Sequence, residues 1–242
     1  MDVWIDEGSV RGEAQKATVR ARQPGARPAR RRYTLTPEVR DDLERTATRR
    51  RLPYVERSMG EAKAAFDGDR FRDAVALLAP LAAEVPNAAS VRELLGLTYY
   101  RLDQWRKAVG ELEAYRRLTG AVDQHPVLAD CYRALRRWRA VDELWEELRE
   151  ASPSAELVTE GRIVVAGSLA DRGRLDDAIA LMAGHDREPR RVQEHHLRAW
   201  YVLGDLHDRA GDPTTAGAYF RRILRYDASF ADVPERLATL GR

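Results

Sequence analysis

The sequence is poor in several residue types, and each shortage excludes something. Of 242 residues one is cysteine, Cys131, so no internal disulfide can form, as expected of a protein working in a reducing compartment. Lysine occurs three times against 38 arginines, and Asn87 is the only asparagine. Such a skew fits high-GC codon usage of a bacterial, actinomycete-like kind, and it argues against reading each arginine as selected for chemistry. No run approaches 18 consecutive apolar residues, which excludes a membrane-spanning helix. Met1 to Gly8 is acidic and has no apolar stretch behind a basic flank, so no secretory signal is expected and the location read from the sequence is cytoplasmic. Phosphate-cradling glycine loops are absent, with neither G-x-x-x-x-G-K-S/T nor G-x-G-x-x-G present.

Charge is balanced in total, at +2, and unbalanced locally. Residues 10–32 hold eight basic side chains, among them Arg20, Arg22, Arg27, Arg30, Arg31 and Arg32, against Glu13 alone. With Pro24, Gly25 and Pro28 and few large apolar residues, this stretch buries too little surface to offset its ordering entropy. Residues 1–35 are therefore expected to form a disordered basic arm, ahead of a folded domain over 36–242.

Within that domain one spacing recurs. Small residues before a turn stand at Ala62, Gly96, Ala129, Ala166 and Gly204, and others follow the turn at Ala74, Ala108, Val141, Ala178 and Ala216. In every unit the two positions are 12 apart, whereas successive units are offset by 34, 33, 37 and 38 residues. A rigid helix hairpin with elastic outer loops behaves this way. Four residues beyond the second small position comes a large apolar one: Leu78, Leu112, Trp145, Met182 and Phe220. Small residues let two antiparallel helices approach, and the large ones fill the space beside them. Trp105, Trp138, Trp145 and Trp200 all fall at such packing positions.

This pattern resembles the tetratricopeptide repeat (TPR). The last unit carries it best, with Trp200-x2-Leu203-Gly204-x2-His207 and then Ala216-x3-Phe220. The second has Leu95-Gly96-x2-Tyr99 and Ala108-x3-Leu112, and Pro86 and Pro153 close the first and third units. The resemblance covers residues 55–228, as units near 55–88, 89–121, 122–155, 159–192 and 197–228. It implies an all-α fold, a right-handed α-solenoid of about five helix hairpins and about twelve helices, without strands. Thr36-Pro37-Glu38 opens a capping helix expected to run to about Arg50, and a final capping helix is expected near 230–240.

The resemblance further implies a concave groove lined by the first helices, where a partner's peptide or helix lies. Carried onto this chain, the groove positions are Lys63 and Phe66; Glu93, Leu97, Tyr100 and Arg101; Asp130 and Arg133; Ile163 and Gly167; and Tyr201, Asp205, Asp208 and Arg209. The groove has no asparagine, so it is not the clamp that holds a chaperone's C-terminal carboxylate.

No enzyme is read from the sequence, and no metal or cofactor is expected. His195 and His196 are neighbours about 100° apart on a helix, read as solvated, and Cys131 as a buried structural thiol. Two functions stay open: a protein-interaction scaffold, or an RNA- or ribosome-associated factor using the arginine arm, with Arg133, Arg136, Arg137 and Arg139 as a second basic cluster. Trp4 and Ile5 are a candidate docking motif or an internal ligand of the groove.

Overall fold

In the computed structural model, residues 34–240 are described; the basic arm with its arginines and Trp4 lies outside the described residues. Twelve α-helices and one 3-10 turn, with no strand, make up the described residues. They divide into two compact units, 34–140 and 141–240.

The first unit holds α1 (Pro37–Thr46), α2 (Leu52–Asp67), α3 (Phe71–Glu84), α4 (Ala89–Tyr100), α5 (Trp105–Thr119), α6 (His125–Ala134) and the start of α7 (Trp138–Ala151). Thr36 caps α1 as read from the sequence, its hydroxyl accepting from the Val39 amide. The helix stops at Thr46 and does not reach Arg50. The Thr46 hydroxyl donates back to the Asp42 carbonyl at 2.8 Å, Ala47 is extended, and Pro53 then opens α2 in its first turn. Asp42 fixes α1 to the rest of the unit: its carboxylate accepts from the Ser90 amide at 2.8 Å and the Ser90 hydroxyl at 2.6 Å. Ser90 lies in the first turn of α4, where unpaired amides and the helix dipole favour an anion.

The helices pair as the spacing predicts. Ala62, Ala74 and Ala108 have no exposed surface, and Leu78 and Leu112 are buried beside them. A Cβ placed on Gly96 would lie 2.7 Å from Leu112 Cγ, so glycine is what lets α4 and α5 close.

The second unit holds the rest of α7, then α8 (Ala155–Asp171), α9 (Leu175–Met182), a 3-10 turn (Ala183–His185), α10 (Glu194–Arg209), α11 (Pro213–Leu224) and α12 (Val233–Thr239). Asp212 caps α11, accepting from the Thr215 amide at 3.0 Å, with Pro213 following. Ala166, Ala178, Met182, Trp200, Leu203, Ala216 and Phe220 form its core. α9 is only eight residues long, and the segment after it is pinned onto α11 by bonds from Tyr219 and Arg222 to Asp186.

One regularity was not read from the sequence. Each hairpin turn has a single left-handed residue five positions before the second small one: Asp69 (φ 56°), Asp103 (57°), Arg136 (56°), Gly173 (76°) and Gly211 (80°). Around each the backbone bonds repeat, as in Arg70 N to Ala65 O and Asp212 N to His207 O, the pattern of a Schellman helix end. Glycine fills the position only twice, so composition hid it. Arg136 adopts it against a steric cost of about 1 kcal/mol.

Candidate functional site

Four of the expected groove residues meet in one cavity of the first unit. Lys63 and Phe66 reach it from α2, and Glu93 and Leu97 from α4. The remaining lining is Leu35, Thr36 and Val39 at the head of α1, Met59 of α2, and Ser90 and Leu94 of α4. Its volume is about 190 Å³. The wall from α1 was not legible in the sequence: the Thr36 cap was, but the packing of α1 against α4 depends on the Asp42–Ser90 contact 48 residues apart.

The cavity is mostly apolar, with two charged groups of unequal standing. Lys63 is ion-paired with Asp67 one turn along α2, and its ammonium lies 5.9 Å from the Phe66 ring centre. Glu93 accepts a hydrogen bond from Gln124 Nε2 at 2.7 Å. Burial pushes its carboxyl above the usual range; the Gln124 bond opposes this, and the nearby Asp123 charge adds to it. Asp123 in turn accepts from the Tyr115 hydroxyl at 3.0 Å.

Further along the unit, Tyr100, Asp130 and Arg133 form a linked set. The Tyr100 hydroxyl donates to Asp130 at 2.7 Å, and Arg133 pairs with the same carboxylate at 3.1 Å. Arg101 pairs with Asp69 at 3.1 Å and lies over the Phe71 ring. In the expected basic cluster, Arg133 is thus engaged by an acid, and Arg137 lies 5.9 Å from the Tyr132 ring centre.

In the second unit the expected residues are covered from within. Arg236 of α12 bonds Asp205 at 2.8 Å and Asp208 at 3.0 Å, and Asp232 accepts from the Tyr201 hydroxyl at 2.7 Å. Arg209 adds a looser pair to Asp205 at 3.8 Å. α12 therefore occupies the surface that these residues would offer a ligand. Ile163 is half-buried against the unit's core, and Gly167 is half-buried on the same helix.

The histidines require a correction. His195 is 7% exposed, not solvated, and stacks on His196, whose ring accepts from the Gln193 amide to cap α10. His185, 3.2 Å from the Thr159 hydroxyl and 3.3 Å from Arg162 Nη1, completes the group. Arginine only donates, so His185 Nδ1 accepts and Nε2 carries the proton. Burial, then the Arg162 charge, push its pKa down to about 4. The unfolded chain takes up a proton below about pH 6.5 that the folded chain refuses until about pH 4. Stability is thus complete above this window and falls as pH drops through it, by about 1–2 kcal/mol after solvent screening. His185→Asn removes the titrating ring while keeping an acceptor towards Arg162, and should flatten that loss, measured by urea unfolding between pH 4 and 7.

Reactive chemistry is sparse. Cys131 is fully buried, and burial pushes its thiol up, away from the reactive thiolate. Among the described residues no group of three or more His, Cys, Asp or Glu side chains is placed to hold a metal ion, and no helix is long and apolar enough to cross a membrane.

The tetratricopeptide repeat pattern matches residues 59–126 and 168–232, more than half of the sequence and spread over both units. The chain belongs to the tetratricopeptide repeat family. Among solved structures it is similar to a thermophilic TPR protein of Thermus thermophilus, with a TM-score of 0.58 at 16% identity, covering 77% of this chain and 98% of that one. At this identity the likeness is one of fold, the all-α helical-repeat solenoid. No curated protein matches the sequence. TPR domains are in general protein–protein interaction scaffolds, and that coarse role extends to this chain as a member.

Proposed function

We propose that the chain is a non-catalytic adaptor of the cytoplasm that binds a partner's peptide or helix on the faces of its first helices. The cavity between α1, α2 and α4 supports this most directly, because it gathers Lys63, Phe66, Glu93 and Leu97 into one apolar recess with a polar rim. A recess of this size holds one or two side chains, which suits an anchor along an extended segment better than a small metabolite. Tyr100, Asp130 and Arg133, linked to one another, and Arg101 are taken as the further contacts of the same ligand.

The test compares capture by the tagged full chain and by its Leu97→Arg variant, with and without RNase. Leu97 is only partly buried, so the variant fills the recess with a tolerable change in stability. The adaptor reading expects a discrete protein that survives RNase and is lost on Leu97→Arg. Capture that vanishes with RNase, or that has a log–log salt slope of roughly −5 and is lost when residues 1–32 are deleted, would transfer the function to the arginine-rich arm.

A further inference from the structure

The cavity between α1, α2 and α4 has an electrostatic asymmetry that narrows its ligand. Its walls, Leu35, Val39, Met59, Phe66, Leu94 and Leu97, suit a hydrocarbon stem. Set among them is the Glu93 carboxylate, bonded by a neutral amide and with no cationic partner among the described residues. The cation that lines the cavity, Lys63, is directed to Asp67 on its own helix. A half-buried carboxylate pays for lost hydration unless a cation is brought to it. An acidic ligand would meet like charge there, and a wholly apolar one would strip Glu93 of further water.

We propose that the cavity receives an arginine side chain of a partner peptide, its methylene stem lying along Phe66 and Leu97 and its guanidinium pairing with Glu93. This rests on the adaptor reading and specifies its anchor. Arginine is the better fit than lysine because its planar fork can engage both carboxylate oxygens, and because it tolerates apolar surroundings and aromatic faces with weaker hydration to lose. The α1 wall matters to this geometry. Asp42, by holding α1 on Ser90, keeps Leu35 and Val39 over the stem and deepens the apolar surroundings of the ion pair.

The probes are butylguanidinium, an arginine side chain with one further carbon in the place of Cα, and butylurea, its uncharged counterpart of nearly equal shape. Each is titrated into the isotopically labelled full chain, followed by amide chemical shifts. Butylguanidinium is expected to shift the amides of Lys63, Glu93 and Leu97 and to bind at least about tenfold more tightly than butylurea. Glu93→Gln, which keeps the side chain's size, should bring the two within about twofold. The preference should also fade with acidification, at a higher pH than an exposed glutamate would give. Retention of the wild-type amide pattern outside the cavity shows that the variant is folded.

Equal binding of the two probes at these amides would overturn the arginine assignment while leaving the adaptor reading in place. A preference that survives Glu93→Gln would overturn it too, as would shifts confined to another surface. If neither probe moves these amides, the assignment falls, and the adaptor reading is judged separately by loss of capture in Leu97→Arg.

Discussion

Replacing Gly204 by leucine should lower the stability of the 141–240 unit by about 1–3 kcal/mol, the cost of overpacking a closed helix contact. A Cβ at this position would stand 2.5 Å from Phe220 Cε1 and 2.9 Å from two further atoms of the same ring. The ring has no room to retreat, because Phe220 is itself fully buried, with the Arg236 guanidinium 4.8 Å from its centre. Even Gly204→Ala should therefore be destabilising, against the general gain of glycine-to-alanine changes in helices. Gly161→Ala should behave alike, since its Cβ would fall 2.3 Å from Leu148 Cδ2 on α7. The contrast is Gly110 on the exposed face of α5, where a Cβ meets nothing within 4 Å. Gly110→Ala should stabilise by up to about 1 kcal/mol through backbone entropy alone. Urea unfolding of the variants separates these signs. Equal shifts at Gly110 and Gly204 would contradict the helix register.

Asp42→Ala is the second large effect, and it couples stability to the site. Asp42 is 8% exposed and accepts two bonds from Ser90, one from an amide in the opening turn of α4. Its removal should cost about 2–3 kcal/mol, since charge-assisted bonds are lost and a buried hydroxyl and amide are left without a partner. Asp42→Asn keeps one acceptor and should recover about half of the loss. Local opening is the informative readout: hydrogen exchange should accelerate in α1 and the first turn of α4 before it does in α5. Any ligand that uses Leu35 and Val39 should weaken in parallel. Loss of stability with α1 exchange unchanged would show that Asp42 does not hold this wall.

The sequence disclosed the parts of the fold that depend on local repetition. Paired small residues twelve apart, and the large residue four further on, put Ala62 against its hairpin partner and Phe220 against Gly204. Their function is steric and leaves a mark on residue size. The left-handed turn residue left no such mark, because Asp69, Asp103 and Arg136 take the conformation that glycine takes at 173 and 211. Gly161 was missed for a related reason: it stands outside the repeating position, yet its Cβ would come closer to a neighbour than that of Gly96 or Gly204.

Long-range side-chain pairing was not legible. Arg222 donates to the Asp186 carbonyl at 2.7 Å, 36 residues away, and lies over the rings of Trp200 and Tyr219, contacts that no spacing announces. His195 reads as solvated from its place at a helix start, while it stacks on His196 and is buried in the fold. At the candidate site, the family resemblance named Lys63, Phe66, Glu93 and Leu97, which line one cavity. It could not say that α1 covers one side of them, nor that α12 closes over Tyr201, Asp205 and Asp208 through Asp232 and Arg236. Both facts come from capping elements, which lie outside the repeat and follow no period.

The adaptor account is tested most directly by photo-crosslinking from two positions of the full chain in lysate. A photoreactive residue at Leu97 looks into the cavity, whereas one at exposed Arg106 on α5 stands outside the cavity lining. The account predicts a discrete, RNase-resistant protein adduct from position 97, absent from position 106 and mapping on the partner to a segment that contains arginine. Equal adducts from both positions, or an adduct that RNase removes, would contradict it.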